Sequence, residues 1–224
     1  MNLTIEESTT EAISPLLNEI IQNLLTDCEM DSKYDSAQKD LMFILIVGLM
    51  IENGFMPLDN SLEIVEVRSI SSTQLLQWKS GKDLYETTFV MPAVESVRIK
   101  LMMSVLGGIV FVNVLFNNLS SETYSVCLPL SRYVVSPQAS TTPMMFRDLK
   151  HLSYTFKNKI FSAVKSKILY NCGCASASLV GLPEELFQKI MLYLPITDII
   201  SVKKVCKKLD IVIENEHLWH YTMT

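Results

Sequence analysis

The stretch VRIKLMMSVLGGIVFVNVLF, residues 97–116, decides the fold. Its first half puts Val97, Ile99, Leu101, Met103 and Val105 on one face and Arg98, Lys100 and Ser104 on the other, the period of two that a half-buried strand shows. Gly107-Gly108 is the residue pair that a two-residue hairpin turn prefers, and it leads into the apolar run IVFVNVLF. Asn117-Asn118 then opens onto a further strand near YSVCLPL, residues 124–130. Upstream, LEIVEV (62–67) and LYETTFV (84–90) alternate in the same way. The spacing predicts an antiparallel meander.

Helical patterns flank these strands. In SPLLNEIIQNLL, residues 14–25, Ser14 is a candidate cap, Pro15 suits the first helical position, and Leu16, Leu17, Ile20, Ile21, Leu24 and Leu25 make an apolar face. LMFILIVGLMI, residues 41–51, is apolar all round and so reads as a helix enclosed by its own domain. Asp35 and Gln38 have the spacing of a capping box before it, and Asn53-Gly54 supplies a left-handed stop. After a loop at SPQASTTP (136–143), a helical pattern runs from Met144 to Tyr170. The first domain therefore reads as α+β, an antiparallel sheet covered by segregated helices. The small, aperiodic NCGCASAS, residues 171–178, reads as a hinge.

Composition excludes several function classes. The 224 residues are 49% hydrophobic and 19% charged, which supports a sizeable core, and the formal net charge of -5 argues against bulk affinity for nucleic acid. Five cysteines, odd in number and scattered, and an acidic MNLTIEESTT start suggest an intracellular, reduced setting in the cytoplasm, with the nucleus also open. The 41–51 run is far shorter than the roughly 20 residues that span a bilayer, so no membrane association is expected. Cys172-Gly173-Cys174 has the wrong spacing for a redox pair, and His217 and His220 lack further ligands at metal spacing. No phosphate loop, nucleophile elbow or metalloprotease helix is present, so neither catalysis nor a cofactor is expected.

The last part of the chain carries a different pattern. In LPEELFQKIMLYL, residues 182–194, Leu186, Phe187, Ile190, Met191 and Leu194 form an apolar stripe opposite Glu184, Glu185, Gln188 and Lys189. TDIISVKKVCKKL (197–209) follows, with Thr197 as candidate cap and Val202, Val205, Cys206 and Leu209 on one face. Lys203, Lys204, Lys207 and Lys208 lie opposite, a solvated face without interleaved aromatics. A third short helix ends in HLWH (217–220). A unit of about 45 residues rarely stabilises itself alone, so these helices need to bury their stripes on something.

Leu182-Pro183, Leu186, Ile190, Leu194, Asp198, Val202, Val205-Cys206 and Leu218-Trp219, in this order and spacing, resemble the F-box, with Leu209-Asp210 departing from a position where that family often has an aromatic residue. The F-box is the helical motif by which substrate receptors dock on the Skp-family adaptor of cullin ubiquitin ligases. The resemblance implies a non-catalytic receptor subunit in which Leu182, Pro183, Leu186, Ile190, Leu194, Val202, Val205 and Trp219 engage the adaptor. Upstream, LMFILIVGLMIENGFMP, KDLYETTFV and FRDLKHLSYTFKNKIFSAV resemble the FP domain that some F-box proteins share with the proteasome-inhibitor family. That resemblance implies pairing with a second copy or with an FP-domain proteasome regulator. Either a helical face or the sheet could pair; the strand with Arg98 and Lys100 outward and the very apolar segment around Val112 and Val114 beside it are the candidates on the sheet. The expected organisation is a helical extension at 1–34, an FP domain at 35–170, a hinge at 171–178 and an F-box of three small helices at 179–224. Two functions remain open: a ligase substrate receptor, and an FP partner of a proteasome regulator that acts without ligase assembly.

Overall fold

A computed structural model of the chain describes residues 3–27, 34–117, 122–174, 179–205 and 207–214. The chain divides into two compact units, Met1–Val164 and Lys165–Thr224.

The first unit is organised around one helix. After α1 (Pro15–Asp27) comes α2 (Tyr34–Glu52), in which Met42, Phe43, Ile44, Leu45, Ile46, Val47, Leu49 and Met50 have no exposed surface. Leu17, Ile20 and Ile21 of α1 are equally buried. Gly48 is the point of closest approach: a Cβ there would stand 3.2 Å from the Ile5 Cδ1 and 3.6 Å from a Leu17 methyl. Gly54, with φ 91°, ends α2 as expected, its N–H returning to the Ile51 carbonyl and that of Phe55 to Met50.

The Gln38 half of the expected Asp35–Gln38 capping box does not form. The helix starts one residue ahead of Asp35, and the Gln38 amide donates to the Val134 carbonyl. The Asp35 side chain lies outside the described residues. Ser14 likewise turns its hydroxyl away from its own helix, donating to Glu52 at 2.7 Å. Glu52 also accepts the Ile5 N–H at 2.9 Å, which fastens the N-terminal segment to the end of α2. Burial holds the Glu52 carboxyl above its usual pKa despite the hydrogen bonds from Ser14 and Ile5.

Strand β1 (Met56–Leu58), helix α3 (Ser72–Trp78), and strands β2 (Leu84–Met91), β3 (Val94–Leu106), β4 (Ile109–Phe116) and β5 (Thr123–Pro129) follow. The strands lie in sequence order and pair antiparallel throughout, the expected meander. Gly107 and Gly108, φ 57° and 80°, both take the left-handed conformation that the tight β3–β4 turn requires. One row of cross-strand partners, Tyr85, Met103, Val112 and Val126, runs buried across four strands. On it, the Tyr85 ring stacks on Phe43 of α2 with centroids 4.9 Å apart.

This register corrects the expectation for Val112 and Val114. Both are completely buried, because the period of two assigns them to the covered face; Phe111, Asn113 and Leu115 occupy the open one.

Two elements differ from the sequence expectation. LEIVEV is not a strand: it touches β1 through a single bridge, Leu58 to Ile64. The Asp59 carboxylate accepts the N–H groups of Ser61 and Glu63, folding the chain into a turn that competes with strand pairing. The helix expected from Met144 begins later. Short α4 (Leu130–Tyr133) and α5 (Thr142–Met145) come first, and Phe146 is extended and bridged to Val134. Asp148, with φ 56°, then introduces α6 (Leu149–Phe156), a π turn at Lys157–Phe161 and α7 (Ser162–Asn171). No described helix is long and apolar enough to cross a membrane.

Two substitutions test this packing. Gly48→Leu is expected to destabilise the chain by about 1–3 kcal/mol in urea unfolding, because the added side chain has no space beside Ile5 and Leu17. Thr87 sits on the buried face with a hydroxyl that has no hydrogen-bond partner among the described residues. Thr87→Val is expected to raise the unfolding midpoint, by about 1 kcal/mol, since it removes an unsatisfied polar atom at equal volume.

A candidate protein-docking surface

The second unit contains a 3-10 turn at Leu179–Gly181 and helices α8 (Glu184–Met191), α9 (Ile196–Lys203) and α10 (Lys207–Glu214). Pro183 is the N-cap of α8, with φ -52° and ψ 145°, and its carbonyl accepts the N–H groups of Leu186 and Phe187 at 3.1 and 3.0 Å. Glu184 and Glu185 in the first turn complement the positive end of the helix. Pro195 does the same for α9, receiving Asp198 and Ile199 at 2.9 and 3.1 Å.

Thr197 is therefore not the cap. It lies inside the first turn, and its carbonyl accepts the Ser201 hydroxyl. The stretch TDIISVKKVCKKL is also two helices rather than one. The chain turns at Lys204 and Val205, so the third helix is the one at Lys207–Glu214; the expected HLWH helix lies outside the described residues.

These turns sort the apolar residues into two classes. Phe187, Met191, Ile199, Leu209 and Ile213 form a core, each at most 3% exposed, with Leu194, Val202 and Val212 packed against it. Leu186 and Ile190, one turn apart on α8, remain 48% and 40% exposed, and Ile196 and Ile200, one turn apart on α9, 49% and 43%. Val205 at the following turn is 72% exposed. The α8 stripe is thus split: Phe187 and Met191 hold the unit together, while Leu186 and Ile190 face out.

Lys203 fastens α9 to α10, its ammonium 2.8 Å from Glu214 and 3.5 Å from Asp210. The hydrogen bond to Glu214 holds the lysine pKa above its usual value. One member of the expected basic face is therefore a structural tie.

Of the residues expected at the adaptor interface, Leu186, Ile190, Pro183 and Val205 are exposed, Leu182, Leu194 and Val202 half-buried. Trp219 and Cys206 lie outside the described residues. Leu182 and Pro183 line a groove with Tyr170, Gly173, Cys174, Lys207, Ile211 and Val212. Ile196 and Ile200 were missed by the sequence reading, although their i, i+4 spacing beside inward Ile199 was visible in TDIIS and its preceding isoleucine.

Cys172-Gly173-Cys174, the first part of the expected hinge, forms a helix stop. Gly173 has φ 68°, and the N–H groups of Cys174 and Gly173 return to the carbonyls of Leu169 and Tyr170 at 2.8 and 3.1 Å, closing α7. Residues 175–178 of the expected hinge lie outside the described residues, as do His217 and His220. Among the described residues, no three His, Cys, Asp or Glu side chains gather as a metal site.

Core and surface classes respond differently to substitution. Phe187→Ala is expected to destabilise the second unit by about 3–5 kcal/mol. Leu186→Ser and Ile190→Ser are expected to change it by less than about 0.5 kcal/mol, because they sit half in water already. Amide hydrogen exchange of residues 184–214 would measure both.

Comparison with known proteins agrees with this architecture. The F-box-like family matches residues 179–222. The chain is 26% identical to F-box only protein 7 of Bos taurus over 185 residues, 80% of this chain and 34% of that protein. It is 35% identical to Protein nutcracker of Drosophila melanogaster over 102 residues, 44% of this chain and 30% of that protein. The chain spans about a third of the length of these curated relatives. An α+β unit is thus followed by an F-box-like domain at residues 179–222, on a chain similar to F-box only protein 7 and to nutcracker.

Proposed function

We propose that the chain is a non-catalytic substrate-receptor subunit of an SCF-type cullin ubiquitin ligase. Its F-box-like domain would dock on the Skp-family adaptor, which in turn joins the cullin scaffold. The observation that carries this reading is the division of the described apolar residues within 179–222: Phe187, Met191, Ile199, Leu209 and Ile213 form a core, and Leu186, Ile190, Ile196 and Ile200 are left outside it. Helices that present apolar side chains at i, i+4 to solvent match the mode of recognition in which a partner's surface receives such anchors. Pro183 and Val205 join them on the exposed set, and Leu182, Leu194 and Val202 at its half-buried margin.

The α+β unit, read as an FP domain, would pair with a second copy or with a proteasome-inhibitor-type protein. The similarity to F-box only protein 7, which extends over 185 residues and so beyond the F-box-like region, supports placing this unit in the same type of protein. Pairing would use side chains other than the buried Val112 and Val114. The cysteine usage and acidic first residues support a cytoplasmic setting, with the nucleus also open. A second function, FP pairing that controls a proteasome regulator without ligase assembly, is favoured by one feature: residues up to Val164 form a compact unit of their own.

Co-purification with the Skp-family adaptor separates the two. Wild type is expected to capture the adaptor near one-to-one. Leu186→Glu/Ile190→Glu and Leu182→Ala/Pro183→Ala, each shown folded by circular dichroism, are expected to weaken capture by about thirtyfold or more. Folded wild type that captures no adaptor, yet sediments as a dimer, would reject the ligase reading in favour of the second.

A further inference from the structure

The stop that ends α7 carries a thiol on each side of its glycine. Cys172 and Cys174 are both exposed and both free. Gly173 between them has φ 68°, a conformation that residues with a side chain rarely adopt. Two residues span roughly 7 Å at full extension. Here the chain turns instead, with the Gly173 and Cys174 N–H groups returning to the Tyr170 and Leu169 carbonyls. The turn shortens the separation into the range of roughly 4.4–6.8 Å between Cα atoms that a disulfide bridges.

The Cys174 side chain is already folded back, its sulfur 3.7 Å from the Cys172 carbonyl oxygen. Both side chains lie at the surface, so rotation about Cα–Cβ is open to each. The spacing differs from Cys-x-x-Cys, which excluded a redox pair on sequence alone; the left-handed glycine changes that by bending the chain between the two sulfurs.

The same turn borders the docking surface. Gly173 and Cys174 line the groove that Leu182, Pro183, Ile211 and Val212 also line, all within the second unit. A bond from Cys174 to Cys172 fixes the backbone angles of Gly173 and draws one side chain out of the groove wall.

We propose that Cys172 and Cys174 are a site of reversible oxidation by hydrogen peroxide, which closes a disulfide across Gly173, and that the closed form docks less well on the adaptor. One thiolate attacks the peroxide O–O bond and becomes a sulfenic acid, with release of a water. The other thiol attacks that sulfur; the S–S bond forms, the S–O bond breaks and a second water leaves. The two thiols together lose two electrons and two protons, and the peroxide takes up both. Exposed disulfides are readily reduced, so in a reducing setting the pair rests as thiols and closes only under oxidant. The docking half rests on the ligase reading; the disulfide half does not.

The test treats the whole chain with hydrogen peroxide, removes the peroxide, blocks remaining thiols with N-ethylmaleimide and digests with trypsin. The fragment from Ile168 to Lys189 holds both cysteines and no others. Wild type and Cys127→Ser are expected to yield it unblocked and lighter by two hydrogens, and dithiothreitol is expected to reverse the change. Oxidised wild type is expected to capture the Skp-family adaptor, added after the peroxide is gone, about fivefold less than reduced wild type. Cys172→Ser/Cys174→Ser is expected to capture it equally before and after treatment. The proposal is overturned if the fragment carries sulfinic acid or a bond to another chain in place of the internal disulfide. Equal capture by the closed and open wild type, or an equal loss in the double serine variant, overturns the docking half. Reduced wild type that captures no adaptor rejects the ligase reading and the docking half with it, while the fragment mass still decides the disulfide.

Discussion

The first unit depends on one constraint: residues 41–51 of α2 are apolar on every side and so have to be enclosed. Ordinary amphipathic helices need cover on one face only. Here the inner face of the sheet supplies one wall, with Tyr85 stacked on Phe43, and buried α1 residues accompany Ile5 at the Gly48 contact. Gly48 matters because it lowers the helix surface where the N-terminal segment crosses. The same enclosure requires the first residues of the chain to be held down, which the Glu52 carboxylate does through Ile5 and Ser14. Segregation of the helices follows from that, leaving the opposite sheet face with mixed residues such as the Lys100–Glu86 ion pair.

The second unit solves the reverse problem. Its helices are eight residues each, too short to be stable alone, and proline starts two of them. A proline at the N-cap has its backbone torsion already set and loses no N–H bond there, so Pro183 and Pro195 define where α8 and α9 begin at little entropic cost. Lys203 then joins α9 to α10 from outside the core. Every core position is used to hold three helices together, and the neighbouring positions on the same helices are free to carry specificity.

Much of this was legible in the sequence, for physical reasons that differ between elements. The meander could be read because alternation with a period of two, interrupted by Gly107-Gly108, has few other solutions. The enclosed helix could be read because eleven uncharged residues tolerate no solvent-facing side. Which parity of β4 faced the core could not: IVFVNVLF is apolar at both, and only the register against β3 and β5 assigns Val112 and Val114 inward. LEIVEV alternated as a strand does, but Asp59 captured its backbone locally. In the F-box-like region the stripe of α8 was visible, yet its division into inward Phe187 and outward Leu186 depended on where α9 and α10 fold back. The proline cap of α9 was obscured by Thr197, a good capping residue in the wrong place.

The core of the second unit also has a consequence for how long the protein lasts. Among the described residues the three helices share a core of only five side chains, so opening of this part would expose it to proteases and chaperones at small cost. A partner that covers α8 and α9 in the folded form alone adds stability by mass action, about 2.7 kcal/mol at a hundredfold excess over its dissociation constant. Survival of the chain would then report on partner supply: copies made in excess would be cleared, and stoichiometry would be enforced by turnover without any dedicated sensor.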